Sequence, residues 1–165
     1  MADTEEMLII ELEAGTVKIR LLPDVAPQHV ERIKHLAGEG AYNGVVFHRV
    51  IDGFMAQTGD VQNANKFGDY NPGRAGTGGS ALPDLPAEFS KLPFDRGVCG
   101  MARSQMPNSA NSQFFIMFED GHFLNGQYTV WGQVVEGMEH VDGLKRGEPP
   151  ADPDHMVSMR VEAPE

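Results

Sequence analysis

An all-β fold carrying two helices, a barrel or a sandwich, is what the 165-residue sequence predicts. Short apolar runs recur along the chain with glycine and proline between them, only two stretches show helical spacing, and several runs alternate apolar with polar residues. Met7 to Leu12 and Thr16 to Leu22 read as strands around Glu13-Ala14-Gly15. In the second, Val17, Ile19 and Leu21 alternate with Lys18 and Arg20, the pattern of a half-buried antiparallel strand. Pro23 to Gly40 reads as a helix, with Pro27 in its first turn, Val30, Ile33, Leu36 and Ala37 on one face, and Gly38 or Gly40 at its end. Val45 to Ile51 and Phe54 to Gln57 form a hairpin about Asp52-Gly53, a dipeptide suited to a turn that needs positive φ.

Val61 to Ser80 is a polar, glycine-rich loop, long enough to be functional or mobile, and Leu82 to Asp95 is a loop with three prolines. The glycines of the first loop are a weak phosphate cradle, since no Gly-Lys-Ser/Thr ending follows. Val98 to Arg103 and Gln113 to Phe118 read as buried strands, Tyr128 to Val135 as another, Glu136 to Leu144 as a short helix, and Met156 to Val161 as the strand completing the sheet. Periodicity alone leaves barrel and sandwich both open.

Composition narrows the function classes. The length predicts one domain over 1–165, and 41% hydrophobic residues are enough for a real core. A net charge of −11, from 24 acidic against 13 basic residues, argues against nucleic acid and anionic membranes as partners. The lone Cys99 excludes an internal disulfide and a multi-cysteine metal site, and reads as a small buried hydrophobe. Six histidines show no ligand spacing, so no metal is expected. No run approaches the ~20 apolar residues of a membrane span. The start, Met-Ala-Asp-Thr-Glu-Glu, lacks a basic leader, which makes the cytoplasm the expected location.

The stretch from Tyr42 to Asp60 carries the chemistry. Arg49 sits among Val45, Val46, Phe47, Val50 and Ile51, where a guanidinium costs free energy unless it is paired or acts on something. The two-residue period places Phe47 and Arg49 on one face, with Gln57 joining them across the hairpin. A cation, an aromatic and an amide suit an apolar substrate that carries a carbonyl.

Phe47-His48-Arg49-Val50-Ile51-Asp52-Gly53-Phe54-Met55 closely resembles the signature of the cyclophilins, the peptidyl-prolyl cis-trans isomerases. Gly76-Thr77-Gly78-Gly79 and Asn111-Ser112-Gln113-Phe114-Phe115-Ile116 match further family motifs in order, and weaker similarity runs from about Leu8 to Val161. The resemblance, to the short single-domain bacterial form, implies a closed eight-stranded antiparallel β-barrel capped by a helix at each end. It implies isomerisation of X-Pro bonds in polypeptides, without cofactor.

The barrier to that rotation, ~20 kcal/mol, is amide resonance, so no nucleophile or metal is needed. A fixed donor beside the prolyl nitrogen favours the twisted state over both planar ones. Arg49 can do this without losing its proton, and the resemblance assigns catalysis to Arg49, Gln57 and Phe115. It implies an apolar socket from Phe54, Met55, Phe115 and Leu124, with Phe123 at the rim. Gln57 and Gln113 would hold the substrate backbone, Ala102 would supply backbone acceptors, and Arg103 and Tyr128 would complete the wall. Phe114 and Ile116 read as core, and His48 as a structural group hydrogen-bonded inside the barrel.

Three departures from the family pattern stand out. Thr58 replaces a common glycine, Arg103-Ser104 replaces Asn-Ala, and Phe123 and Tyr128 replace tryptophan and histidine. The 61–80 loop is also about ten residues longer than in the best-known members. Phe123 lacks the indole donor, so weakened binding of cyclosporin is expected. The rival from another class is a proline-peptide binding module or holdase without turnover; the presence of Arg49 favours the enzyme.

Overall fold

The computed structural model describes residues 6–68 and 70–162, so most of the acidic start discussed above lies outside the described residues. It contains strands β1 (Met7–Glu11), β2 (Thr16–Leu21), β3 (Arg49–Ile51), β4 (Met55–Thr58), β5 (Val98–Met101), β6 (Phe114–Met117), β7 (Val130–Glu136) and β8 (Ser158–Glu162). Two helices join them, α1 (Pro27–Gly38) and α2 (Met138–Asp142). Every expected element is present, most with ends shifted by one to three residues.

The strands form one eight-stranded antiparallel sheet in the order β3-β4-β6-β5-β7-β2-β1-β8. The closed ladder implied by the resemblance is not what the sheet shows. It is curled, and its edge strands β3 and β8 are not paired with each other. The gap is crossed instead by isolated bridges, Val46 to His155 and Val50 to Gly147, with Phe47 N–H donating to the Asp154 carbonyl at 2.8 Å.

Alternation decides where side chains go. Val17, Ile19 and Leu21 are buried as the sequence predicts, in the same core as Val30, Ile33, Leu36 and Ala37 of α1. In β6, Phe114 and Ile116 enter this main core, whereas Phe115 and Met117 enter a second, smaller cluster with Met55, Phe94, Leu124 and Val130. Burying each such side chain is worth about 1.5–3 kcal/mol. The second cluster is where the site forms.

Helix α1 has no capping side chain of its own, because Ala26 occupies the N-cap. The carboxylate of Glu88 accepts the N–H groups of Gln28 (3.1 Å) and His29 (3.0 Å) instead. Arg32 is buried on the same helix and donates to the carbonyls of Pro83 and Asn111, tying α1 to the proline-rich loop.

One expectation fails in the hairpin. Val45 to His48 is not regular strand; β3 starts only at Arg49, and Phe54 lies in the turn, donating to the Ile51 carbonyl at 3.0 Å. Without continuous extended backbone the two-residue period does not run from Phe47 to Arg49. Phe47 is buried in the main core, while the Arg49 side chain is 45% exposed. Gly53, at φ +72°, supplies the positive φ of the turn, and Asp52 does not.

Gly137 gives a test of the packing. It leads into α2 at φ +85°, and a Cβ there would strike the Thr16 carbonyl and come within 3.0 Å of the Val17 Cα. Gly126 has a similar φ of +72° but open space around it. Gly126→Ala should cost about 1 kcal/mol, the left-handed conformation alone, whereas Gly137→Ala should cost at least ~2 kcal/mol more because β2 backbone must move. Urea denaturation measures both; equal losses would mean that β2 yields freely.

Candidate active site

Register builds the centre of the site. Arg49 pairs with Gln57 between β3 and β4, and Gln57 with Phe115 between β4 and β6. Directly opposed residues on antiparallel strands point to one face, so the three side chains assigned to catalysis form a single cross-strand row. The next residue in that row is Gly100 on β5. A Cβ at Gly100 would lie 2.6 Å from the rings of both Phe115 and Phe94, so the missing side chain is what lets Phe115 lie flat across the row, stacked on Phe94.

Around the row opens a cavity of about 130 Å³, lined by Arg49, Phe54, Met55, Gln57, Ala102, Arg103, Phe115, Leu124 and Tyr128. Two residues expected at the site stand outside this lining. Gln113 lines a neighbouring, larger cavity of about 410 Å³, together with Gly76 to Ser80, Asp84, Ser104 and Asn111. Phe123 is 67% exposed and tilts over Phe54, with ring centroids 5.6 Å apart. The two cavities share Gln57, Ala102 and Arg103.

The polar groups are chained. Gln113 Nε2 donates to the carbonyls of Gly76 and Gly78, both at 2.9 Å. Gln113 Oε1 accepts from Gln57 Nε2 at 3.0 Å, and Gln57 Oε1 faces Arg49 Nη1 at 3.5 Å. The glycine loop is fixed by Asp60, fully buried, whose carboxylate accepts the N–H groups of Gln62, Asn63, Gly76 and Gly78 at 2.8–3.1 Å. Those amides are therefore spent on the protein's own anion, which leaves the phosphate-cradle idea no donors at Gly76 and Gly78. Thr58, the replaced glycine, donates its hydroxyl to the Val46 carbonyl at 2.8 Å and is buried without an unpaired polar group.

Glu148 was not foreseen. Its carboxylate accepts from Arg49 Nε at 3.1 Å, and both side chains are about half exposed. Nothing local could signal a partner 99 residues away. Asp60 was nearer to hand, since an Asp before a glycine-rich segment often caps backbone N–H groups.

Tyr128 packs edge-on against Phe115, and the Arg103 guanidinium lies 4.6 Å from the centre of the Tyr128 ring. His48 is buried as expected, but neither ring nitrogen has a hydrogen-bond partner among the described residues. Its burial holds its pKa below the ordinary imidazole value, against the pull of nearby Asp60. Burial does the same to His29 and pushes the Cys99 thiol up, so Cys99 stays neutral. Elsewhere, Asp95, Asp120 and His122 cluster on the surface, with His122 Nε2 2.7 Å from Asp95 Oδ1.

Comparison with known proteins fits this geometry. The family model described as cyclophilin type peptidyl-prolyl cis-trans isomerase matches residues 7–161. The chain belongs to the cyclophilin-type peptidyl-prolyl cis-trans isomerases. A Brucella suis protein named "Probable peptidyl-prolyl cis-trans isomerase" is 59% identical, over 98% of this chain and 85% of its own length. Peptidyl-prolyl cis-trans isomerase-like 3 of Gallus gallus is 36% identical over 83% of this chain and 80% of its own. Among solved structures, a cyclophilin of Hirschia baltica aligns at a TM-score of 0.80 and 28% identity, covering 96% of this chain and 77% of its own. A Cryptosporidium parvum cyclophilin, crystallised in the presence of the dipeptide Ala-Pro, aligns at 0.80 and 26% identity, covering 95% and 99%. The family activity is isomerisation of X-Pro bonds.

The two depressed histidines give this cyclophilin a pH dependence of known sign. Below the ordinary imidazole value of 6.5, the unfolded chain binds protons that native His29 and His48 refuse. Stability from these groups is therefore complete above that value and lost as pH falls through it. His122, raised by its hydrogen bond to Asp95, acts in the opposite sense but is fully exposed. Urea midpoints should be lower at pH 5.5 than at pH 7.5, and His48→Gln should reduce the difference. A midpoint that rises on acidification would contradict the burial assigned to both rings.

Proposed function

We propose that the 130 Å³ cavity takes the substrate's proline ring and that Arg49 stabilises the twisted X-Pro bond. The observation that carries this reading is the Arg49 guanidinium, in cross-strand register with Gln57, at the wall of a cavity whose apolar lining includes Phe54, Met55, Phe115 and Leu124. As the amide twists, conjugation is lost and the prolyl nitrogen gains a lone pair. A cationic N–H aimed there binds the twisted state better than either planar isomer, while the apolar walls weaken competing solvation. Glu148 engages Nε and Gln57 faces Nη1, which limits the rotation of the fork and leaves Nη2 without a protein partner among the described residues. Gln57 and Gln113 are already hydrogen-bonded to each other and present their remaining capacity to the substrate backbone. Bonds are neither made nor cut, so no cofactor enters. The substrates are proline-containing polypeptides, met in the cytoplasm.

NMR exchange on a short X-Pro peptide, with and without the protein, tests the activity directly. Arg49→Ala should lower turnover about a hundredfold, near 3 kcal/mol, while leaving the urea midpoint nearly unchanged because the side chain is not core volume. Arg49→Lys should recover only part of the rate, since a point charge does not reproduce the fork. Full activity in Arg49→Ala would overturn the mechanism and favour a site that only binds proline peptides.

Phe123 sets a second expectation. It offers an aromatic face at the rim but no donor, so a ligand carbonyl aimed there loses a partner, at a cost of ~1–3 kcal/mol. Cyclosporin should bind about ten- to a hundredfold more weakly than to a tryptophan-bearing relative. Phe123→Trp should tighten cyclosporin with little change in turnover of a short peptide. Calorimetric titration decides it: equal affinities would remove Phe123 from the ligand's reach.

A further inference from the structure

We infer that Arg103 makes this isomerase select X-Pro bonds that carry an acidic side chain within two residues of the proline. The inference rests on the assignment of the smaller cavity to the proline ring. Arg103 lines both cavities, and so stands where a chain leaving the proline socket must pass.

Its guanidinium is held in place. Nε and Nη2 donate to the Gln127 carbonyl at 3.1 and 2.6 Å, Nη1 donates to the Ser104 carbonyl at 2.9 Å, and the plane lies over the Tyr128 ring. All these partners are neutral. Among the described residues no carboxylate lies within ion-pair distance of Arg103, although acidic residues outnumber basic ones 24 to 13 in the sequence. Arg49, the other guanidinium lining the smaller cavity, is by contrast paired with Glu148.

A role confined to pinning the 103–109 segment would need the carbonyl contacts but not the position between two cavities. A cation fixed by neutral groups keeps its charge uncompensated and pays little ordering entropy when an anion arrives. Asp84 limits where that anion can sit. It lines the larger cavity and accepts from Asn111 Nδ2 at 3.1 Å, so a carboxylate deep in that cavity would be repelled. The acidic side chain therefore belongs at the boundary, on the Tyr128 side.

The test compares kcat/KM by NMR exchange for four sets of short peptides, with Glu, Gln or Lys one or two residues before, or one or two residues after, the proline. The wild type should favour Glu over Gln about three- to tenfold in at least one set, with Lys poorest there. That ratio should fall towards one as salt is raised from about 20 to 500 mM. In Arg103→Gln the ratio should be near one whatever the absolute rate, and in Arg103→Lys intermediate. A wild-type ratio of one or less in every set overturns the inference, as does an undiminished ratio in Arg103→Gln. Should Arg103→Gln fail to fold, a wild-type ratio insensitive to salt overturns it equally. Absence of exchange even for the Gln peptides would mark failure of the proposed activity itself, and the inference would fall with it.

Discussion

A single buried carboxylate, that of Asp60, organises the candidate site. The Asp60 carboxylate, without solvent access, accepts four backbone N–H groups, two from the turn beside it and two from Gly76 and Gly78. Hydrogen bonds to a charged group are worth about 1.5–3 kcal/mol each, and several are needed to offset removing a carboxylate from water. The glycine carbonyls so positioned hold Gln113, Gln113 holds Gln57, and Gln57 faces Arg49. Gly76, Gly78, Gln113 and Gln57 thus connect the buried Asp60 to the Arg49 guanidinium, each link limiting the freedom of the next. This is how a site built largely on short strands and a long loop keeps a flexible side chain such as Arg49 aimed at one place.

The sheet itself sets the centre of the site. The row Arg49, Gln57, Phe115 and Gly100 runs across four neighbouring strands, and its spacing is the ladder's, not that of any loop. Gly100 contributes by absence: the volume a side chain would fill is taken by the rings of Phe115 and Phe94, and Phe115 lines the smaller cavity. The surface is strongly acidic in sum, yet the two guanidiniums lining the smaller cavity make this groove locally cationic.

Much of this was legible in the sequence, and the failures share a cause. The alternation of Val17, Ile19 and Leu21, the helical face of Val30, Ile33, Leu36 and Ala37, and the opposed roles of Phe114 and Phe115 were readable because a regular backbone converts spacing into direction. Phe47 and Arg49 were misassigned to one face because the backbone before Arg49 is irregular, and spacing there means nothing. The closed ladder came from resemblance, while the edges β3 and β8 are not paired with each other and the gap is crossed only by isolated bridges, Val46 to His155 and Val50 to Gly147. The pairing of Arg49 with Glu148 spans 99 residues, which local pattern does not encode. The gathering of nine expected side chains around one cavity was foreseen only through family resemblance.

The borrowed cap of α1 ties the helix to the order in which the chain folds. Twelve residues without an N-terminal cap are too few to hold a helix in water, where nucleation is costly and propagation gains little per residue. Glu88 supplies that cap from 60 residues downstream, and Arg32 reaches 51 and 79 residues ahead to the carbonyls of Pro83 and Asn111. Helix α1 therefore does not act as an early local nucleus, even though it is the longest helix in the chain and lies near its beginning. Its stability depends on the docking of the segment from Pro83 to Asn111, so even the helix near the start of the chain shares the non-local, high-contact-order character of a β protein.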